Sequence, residues 1–216
     1  MPQRWEQTPM VALDLEGSGS QDHDDEAILE IALVPMAVGR PALDQGWHSL
    51  VNPGRRIPRR PWTSPGLTNE ILAQAPPWNA VEPAVRDRVQ AAIIVGHNVR
   101  VDWRLLHRRS PRLRPAALLD TLRLARYVHG NRTGKSLTAL LTEHRLTEQV
   151  NALVPDGQPH RALWDTVAVT LLLPALIAVL PSRGDTTMAE LVRLAGVPMD
   201  GENVAPGPQE QLTLGF

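Results

Sequence analysis

The amino-acid sequence predicts an α/β domain in which a mixed sheet of about five strands is flanked by helices. The chain has 216 residues, 43% of them apolar, which is enough for one sizeable core. The predicted elements run in the order three strands, helices, strand, helix, strand, helices, a pattern typical of a mixed sheet. Cysteine is absent, so disulfides, thiol nucleophiles and thiolate-ligated metal sites are excluded.

Short apolar runs that end in turn-forming residues predict the strands. The first three follow one another along the chain, which favours an antiparallel meander. The fourth runs directly into Gly96, His97 and Asn98. Strands are expected at residues 10–15, 27–34, 47–51, 92–95 and 116–120.

Helical spacing of apolar residues predicts the helices. They are expected at residues 67–72, 80–91, 101–107, 121–127, 136–144 and 160–180, with a loop at 151–158. Pro174 removes an intrahelical hydrogen bond, so the long last helix is expected to kink or break there. Thr187 and Glu190 have the spacing of a capping box, which predicts a further short helix that runs to Leu194 and ends at Gly196.

Four acidic residues stand where the hydrophobic pattern predicts core. Asp14 and Glu16 end the first strand, where the two-residue period places both on one face. Asp102 opens the helix after the fourth strand, and Asp165 lies in the first turns of the long helix. Converging buried carboxylates need a cation, and oxygen ligands favour Mg²⁺ or Mn²⁺. Two such ions about 3.5–4 Å apart form the usual clamp for in-line displacement at phosphorus.

His160 precedes Asp165 by five residues. An imidazole there could take a proton from a metal-bound water, a role that suits its ordinary pKa of about 6.5. Each residue alone has a simpler interpretation; Asp102, for example, would complement a helix dipole. Their combination at element boundaries is what indicates a hydrolytic site.

Three segments resemble the motifs of the DEDDh family of 3'–5' exonucleases, which includes the epsilon proofreading subunit of bacterial DNA polymerase III and ribonuclease T. They are VALDLEG, VGHNVRVD and PHRALWD, and the separation of His160 from Asp165 is that of the DEDDh branch. The segments GLTNEILAQAPP and LDTLRLA resemble family connectors. The resemblance covers about residues 10–180 and implies a ribonuclease-H-like fold with a five-stranded mixed sheet.

The resemblance also implies roles for individual residues. The ligands of two metal ions would be Asp14, Glu16, Asp102 and Asp165, with His160 as general base. The terminal nucleotide would be met by Gly17, Ser18, His97, Asn98 and Arg100. The family usually reads Thr-x-Gly-Leu after the glutamate, whereas this chain continues GSGSQDHDDE. The missing leucine normally packs against the terminal bases, so the 3'-end pocket is expected to differ here.

The net charge of -1 hides an uneven distribution. The first 30 residues hold eight acids and one arginine, and residues 95–145 hold eleven basic residues and three acids. An arginine-rich helix beside an acidic metal pocket could hold a nucleic-acid strand. The alternative is a solvated helix face that pairs with the acidic loop. The arginines concerned are Arg55, Arg56, Arg59, Arg60, Arg100, Arg104, Arg108, Arg109, Arg112 and Arg114.

We expect an exonuclease domain at residues 1–182, a short C-terminal helix at 183–197 and a flexible tail at 198–216. The tail ends in QLTLGF, in which Gln211, Leu214 and Phe216 resemble the peptide that docks bacterial polymerase-associated proteins on the sliding clamp. A strand that folds back on the domain is the alternative. The polar N-terminus and the short apolar runs predict a cytoplasmic protein without a membrane partner.

The leading hypothesis is a two-metal-dependent 3'–5' exonuclease that acts on a single-stranded 3' end and releases nucleoside monophosphates. DNA is favoured over RNA mainly because of the tail. Two alternatives remain: an RNA 3'-trimming exoribonuclease on the same fold, and an inactive binding module associated with a clamp or polymerase. Intact Asp14, Glu16, Asp102, His160 and Asp165 count against the inactive module, although resemblance alone does not establish turnover.

Overall fold

A computed structural model describes residues 3–60, 63–130 and 136–199 of the chain. The strands are β1 (Met10–Gly17), β2 (Ile28–Ala37), β3 (Arg40–Pro41), β4 (Trp47–Leu50), β5 (Ile93–Gly96), β6 (Ala117–Asp120) and β7 (Gly196–Val197). The helices are α1 (Asn69–Ala73), α2 (Trp78–Val89), α3 (Arg100–Arg109), α4 (Thr121–His129), α5 (Leu137–Glu143), α6 (Thr147–Leu153), α7 (Ala162–Ile177) and α8 (Met188–Ala195). Short 3₁₀ turns lie between them, among them Ser20–Asp25 after β1.

The strands form one mixed sheet, so the predicted fold class is confirmed. Its order is β3-β2-β1-β5-β6-β7, and β4 also pairs with β2. Strand β2 is antiparallel to both β1 and β4, which confirms the meander, whereas β1, β5 and β6 run parallel. The expected number of five strands is wrong, because β3 and β7 add two short edge strands. Two residues are too few to show an alternating pattern in the sequence.

The alternation of side chains along β1 divides the hydrophobic core between the two faces of the sheet. Met10 and Ala12 pack in one cluster with residues of α7, and Leu13 and Leu15 pack in a second cluster with residues of α2 and α3. The two-residue period places Asp14 and Glu16 on the same face as Met10 and Ala12. Both acids therefore face the side of the sheet that α7 covers.

Helix α7 differs from its prediction at both ends. It begins at Ala162, so His160 precedes the helix instead of starting it. It runs through Pro174 to Ile177 as one helix, so the alternative of a break there is wrong, and a kink at Pro174 stays a prediction. Twelve of its sixteen residues are buried. Packing of this kind stabilises a helix beyond its local propensity, which explains how it tolerates the lost hydrogen bond.

The region after α5 also departs from the sequence prediction. Residues 151–153 belong to the end of α6 and not to a loop. Val150 is the one buried residue of that helix, so its apolar pattern is weak. Helix α8 is confirmed, with the hydroxyl of Thr187 accepting a hydrogen bond from the Glu190 backbone N–H at 3.1 Å and Gly196 at its end.

The segment 183–197 is part of the same folded unit as the rest of the domain. Leu191, Leu194 and Ala195 of α8 are buried in the core cluster that contains α7. Strand β7 then pairs antiparallel with β6. The chain beyond the expected boundary at residue 182 therefore packs on the predicted exonuclease domain. The tail residues Gln211, Leu214 and Phe216 lie outside the described residues.

None of the helices in the described part of the chain is both long and apolar enough to span a bilayer.

Candidate active site

Three of the four predicted metal ligands converge at the carboxyl end of β1. Asp14 and Glu16 project from that strand, and α7, which packs against β1 and β2, carries Asp165. One carboxylate oxygen from each of these three residues lies within 4.8 Å of the others. Such a spacing is that of ligands able to share a cation, and carboxylate oxygens are ligands that Mg²⁺ and Mn²⁺ prefer.

Asp102 reaches the same place from the opposite face of the sheet. It lies in the first turn of α3, directly after β5, and it is buried. Burial raises the pKa of Asp102 well above its usual value. A hydrogen bond from the backbone N–H of Leu15, between the two acids of β1, acts in the opposite direction and is outweighed. Asp102 therefore borders the three-carboxylate group without belonging to its tightest part.

Positively charged groups of the protein neutralise the negative charges of these carboxylates only in part. Burial and then the neighbouring charges of Asp102 and Asp165 raise the pKa of Asp14 well above its usual value. Burial also raises the pKa of Glu16 to about 8. It raises the pKa of Asp165 to about 6, although the charge of His160 acts in the opposite direction. Ionised carboxylates this close need a cation, and the donor set therefore fits divalent metal ions.

His160 lies beside the carboxylates in a turn just before α7. Its backbone has a φ of 65°, and its N–H donates a hydrogen bond to Asp165 Oδ2 at 3.1 Å. The residue is exposed and lines a cavity of about 600 Å³ together with Asp14 and Asp165. The imidazole is thus accessible to water and adjacent to the proposed metal site.

The loop after β5 forms another wall of this cavity. His97 Nδ1 lies 3.0 Å from Thr121 Oγ1. Asn98 has a φ of 61°, and its backbone N–H donates to Asp120 Oδ1 at 2.8 Å. Both His97 and Asn98 line the cavity, and their contact with a terminal nucleotide stays a prediction. Arg100 is exposed at the first residue of α3.

The backbone and hydroxyl of Ser18 make internal hydrogen bonds, and its expected contact with a nucleotide stays a prediction. Its backbone N–H donates to the carbonyl of Ala27 at 2.9 Å, and its hydroxyl donates to Asp22 Oδ2 at 2.6 Å. Ser18 is also buried. These donors are therefore committed within the protein in this conformation. Gly17 pairs with Ile28 at an irregularity of the β1–β2 ladder, and its contact with a nucleotide stays a prediction.

Arginines expected to bind a strand instead hold the acidic loop in place. Arg55 Nη2 and Arg60 Nη2 pair with the two carboxylate oxygens of Asp22 at 2.5 and 2.7 Å. The hydroxyl of Ser18, followed by these arginines, lowers the pKa of Asp22. These hydrogen bonds and ion pairs hold together the loop after β1, which stands where the family usually has Thr-x-Gly-Leu.

Three arginines of α3 bind the end of the same loop. Arg104 Nη2 lies 3.0 Å from Glu26 Oε2, and Arg108 Nη1 lies 3.8 Å from it. Arg109 Nε donates to the Glu26 backbone carbonyl at 3.0 Å. For these side chains, pairing with the acidic loop describes the structure better than a continuous track for nucleic acid.

Sequence reasoning missed several residues around the site. Ser64 donates a hydrogen bond to Glu16 Oε2, a contact across 48 positions that no local pattern reveals. Glu30 is a buried acid inside the apolar run ILEIALV, and the argument used for Asp14 could have found it. The cavity is further lined by Leu122, Arg126, Ser136, Leu137 and Thr138.

Comparison with known proteins agrees with this geometry. The RNase T exonuclease family model matches residues 11–173. The chain is 31% identical over 185 residues to the DNA polymerase III subunit epsilon-like protein of Rhodobacter capsulatus, covering 84% of this chain and 25% of that protein. It is 27% identical over 189 residues to the 3'-5' exonuclease DinG of Bacillus subtilis, covering 86% of this chain and 19% of that protein. The chain thus spans a quarter or less of these relatives.

Solved structures share the fold. Exonuclease X in complex with 5' overhanging duplex DNA superposes with a TM-score of 0.65 and 24% identity, covering 86% of this chain and 98% of that chain. The nuclease domain of 3'hExo, a DEDDh family member bound to rAMP, gives a TM-score of 0.58 and 15% identity, covering 82% of this chain and 94% of that chain. Since the family match spans well over half of the sequence, the chain belongs to the RNase T exonuclease family.

Proposed function

We propose that the protein is a metal-dependent 3'–5' exonuclease that hydrolyses the terminal phosphodiester bond of a nucleic-acid strand and releases nucleoside monophosphates. The observation that carries this proposal is the group formed by Asp14, Glu16 and Asp165, whose oxygens lie within 4.8 Å of one another. Two of these acids and His160 line an open cavity of about 600 Å³. Family membership and the names of the relatives support the same activity.

Two Mg²⁺ or Mn²⁺ ions would be held by Asp14, Glu16, Asp102 and Asp165. Bound divalent ions supply Lewis-acid stabilisation of the negative charge that develops on the phosphate. The raised pKa values of Asp14 and Glu16 support this assignment, because cations remove the cost of ionising both groups.

The side chains around the cavity would accept the proton of the attacking water and position the terminal nucleotide. The imidazole of His160 accepts the proton of the attacking water and can pass it to solvent, because the residue is exposed. Asp165 fixes the His160 backbone through the hydrogen bond of 3.1 Å. His97 and Asn98 lie where the terminal nucleotide would enter, and Arg126 on α4 offers a cation for a phosphate.

Single-stranded DNA is the proposed substrate. The name of the Rhodobacter capsulatus relative refers to a DNA polymerase subunit, and the C-terminal QLTLGF resembles a clamp-binding peptide. We propose that Gln211, Leu214 and Phe216 dock on a bacterial sliding clamp. A clamp pull-down should lose its signal in Leu214→Ala and Phe216→Ala, and retention by both variants would reject this partner.

The activity is tested on single-stranded DNA and RNA oligonucleotides of the same sequence, labelled at either end. With Mn²⁺ or Mg²⁺, a 3' label should leave at once as mononucleotide, while a 5' label should give a shortening ladder. EDTA and Asp14→Asn should each lower the rate more than about 10³-fold, because the ions supply several kcal/mol. Activity that persists in EDTA would reject the mechanism, and a faster rate on RNA would reject the DNA preference.

A further inference from the structure

A partly buried ion pair joins β2 to the turn that precedes α7. Arg161 donates to Glu30 through two nitrogens, from Nε to Oε2 at 2.8 Å and from Nη2 to Oε1 at 2.9 Å. Glu30 is 2% exposed. A two-pronged pair of this kind fixes the orientation of both side chains, because the planar guanidinium matches the carboxylate edge to edge.

The same carboxylate supports the start of α7. Its Oε2 accepts a hydrogen bond from the backbone N–H of Ala162, the first residue of the helix, at 3.4 Å. Arg161 is the N-cap residue, and its own side chain makes no capping hydrogen bond. A helix start leaves backbone N–H groups without intrahelical partners, so Glu30 supplies from the sheet what a capping side chain would supply.

Glu30 is close to the proposed metal site. It is paired with Glu16 in the β1–β2 ladder, and side chains opposite one another in a ladder lie on the same face. That face is the one covered by α7. An unpaired carboxylate here would add to the repulsion among the metal ligands, whereas Arg161 compensates its charge within the protein.

His160 stands directly before the anchored residues in a left-handed conformation. Its φ of 65° is unfavourable for a residue with a side chain, so contacts around the turn must hold it. On one side its N–H donates to Asp165 Oδ2. On the other side Arg161 is extended and bound to Glu30. The backbone conformation from which the imidazole projects is thus held on both sides.

We propose that Arg161, through its pair with Glu30, is a positioning residue that holds His160 beside the carboxylates of Asp14 and Asp165. The inference rests on the proposed function, in which His160 accepts the proton of water. Because two of the guanidinium nitrogens are committed to Glu30, loss of Arg161 should slow the chemical step and leave substrate binding largely unchanged.

The kinetic test uses the full chain with single-stranded DNA and Mn²⁺. Arg161→Gln should lower kcat about 10²-fold and change KM less than about twofold, since small displacements of a catalytic group have effects of this size. Arg161→Lys should have a kcat between those of the wild type and Arg161→Gln, because lysine keeps the positive charge but cannot donate to both carboxylate oxygens of Glu30 as the guanidinium does. Arg86→Gln is the matched control, as it breaks an exposed arginine–glutamate pair on α2 and should leave kcat unchanged.

A double-mutant comparison separates positioning from general stability. In a His160→Ala background, Arg161→Gln should slow the reaction less than about threefold, because the group it positions is absent. If Arg161→Gln still lowered kcat about 10²-fold in the His160→Ala background, the proposal would be overturned. A rise in KM at constant kcat would overturn it as well, and would assign Arg161 to the substrate.

A readout without turnover distinguishes this inference from the proposed function. Hydrogen exchange of the His160 backbone N–H, followed by NMR, should be at least about tenfold faster in Arg161→Gln and in Glu30→Gln, while amides in the middle of α7 keep their protection. Unchanged exchange at His160 would overturn the proposal. An inactive wild-type protein in which exchange responds as expected would reject exonuclease activity and support the positioning contact. Glu30→Gln and Arg161→Lys keep the test decisive if Arg161→Gln does not fold.

Discussion

The hydroxyl of Ser64 donates a hydrogen bond to Oε2 of Glu16. Ser64 lies before α1 and is buried, so a segment distant in sequence fixes the orientation of a proposed metal ligand. Groups that hold a ligand in this way contribute to metal affinity without touching the ion. The contact gives the connector between β4 and α1 a specific role at the site.

Ser64→Ala should weaken Mn²⁺ binding about 10- to 100-fold, because Glu16 loses the partner that orients it. Isothermal titration calorimetry at pH 7.5 measures the change. Ser49→Ala is the control, since Ser49 donates to the carbonyl of Leu50 on β4. Equal dissociation constants for the wild type and Ser64→Ala would show that the contact does not support the ligand.

The metal-free protein should become less stable as the pH rises from about 4.5 to about 8. Glu16 has a pKa raised from 4.5 to about 8, so across this window the folded state binds more protons than the unfolded state. Stability therefore falls as the pH increases. Melting temperatures in EDTA should decrease by roughly 10 °C over this range, because a pKa that moves from 4.5 to about 8 corresponds to about 4 kcal/mol, and each kcal/mol to about 2–4 °C for a domain of this size.

Two changes should weaken that trend, which the raised pKa values of Asp14, Asp102 and Asp165 also support. Glu16→Gln eliminates one of the titrating groups and should raise the melting temperature in EDTA at pH 8. Saturating Mn²⁺ should also raise the melting temperature at pH 8, because the ion binds the ionised carboxylates and stabilises the folded state. A melting temperature in EDTA that rises steadily between pH 5 and pH 8 would contradict the assigned pKa direction.

The sequence predicted those parts of the fold that have a strong periodic signal. Strand β1 was found because its apolar residues continue on both sides of Asp14, and α8 because Thr187 provides a cap. The position of His160 outside α7 was missed, because its left-handed backbone depends on contacts with Glu30 through Arg161 and with Asp165. Only the folded chain brings those elements together.

The same distinction applies to the site. Asp14, Glu16 and Asp165 were predictable from charge placed in apolar surroundings. The sequence left the role of the arginines open between a nucleic-acid surface and pairing with the acidic loop, because Arg55 and Asp22 are 33 positions apart and their pairing depends on how the loop folds. Sequence charge alone indicated a basic surface, whereas the structure commits part of it to internal ion pairs.

Asp22→Asn should destabilise the protein at pH 7 by about 1–3 kcal/mol, because Arg55 and Arg60 lose an ionised partner. The pKa of Asp22 is lowered in the folded state, so its contribution is present above the unfolded value near 4 and is lost as the pH falls below it. Urea unfolding at pH 7 and at pH 3 measures this difference. Asp87→Asn, at an exposed position of α2, is the control. An equal effect of Asp22→Asn at both pH values would contradict the ion-pair explanation.

Asp14→Asn and His160→Ala should separate metal binding from proton transfer. Asp14→Asn removes a central ligand, so both Mn²⁺ binding and activity should be lost. His160→Ala should retain Mn²⁺ binding within about threefold, because the imidazole lies beside the carboxylates and is not part of their group. Its kcat should fall about 10²- to 10⁴-fold, the usual contribution of a general base. Calorimetry and nuclease assays on the same preparations test this. If His160→Ala instead abolished Mn²⁺ binding, His160 would be a ligand, and the proton would have to leave the water by another route.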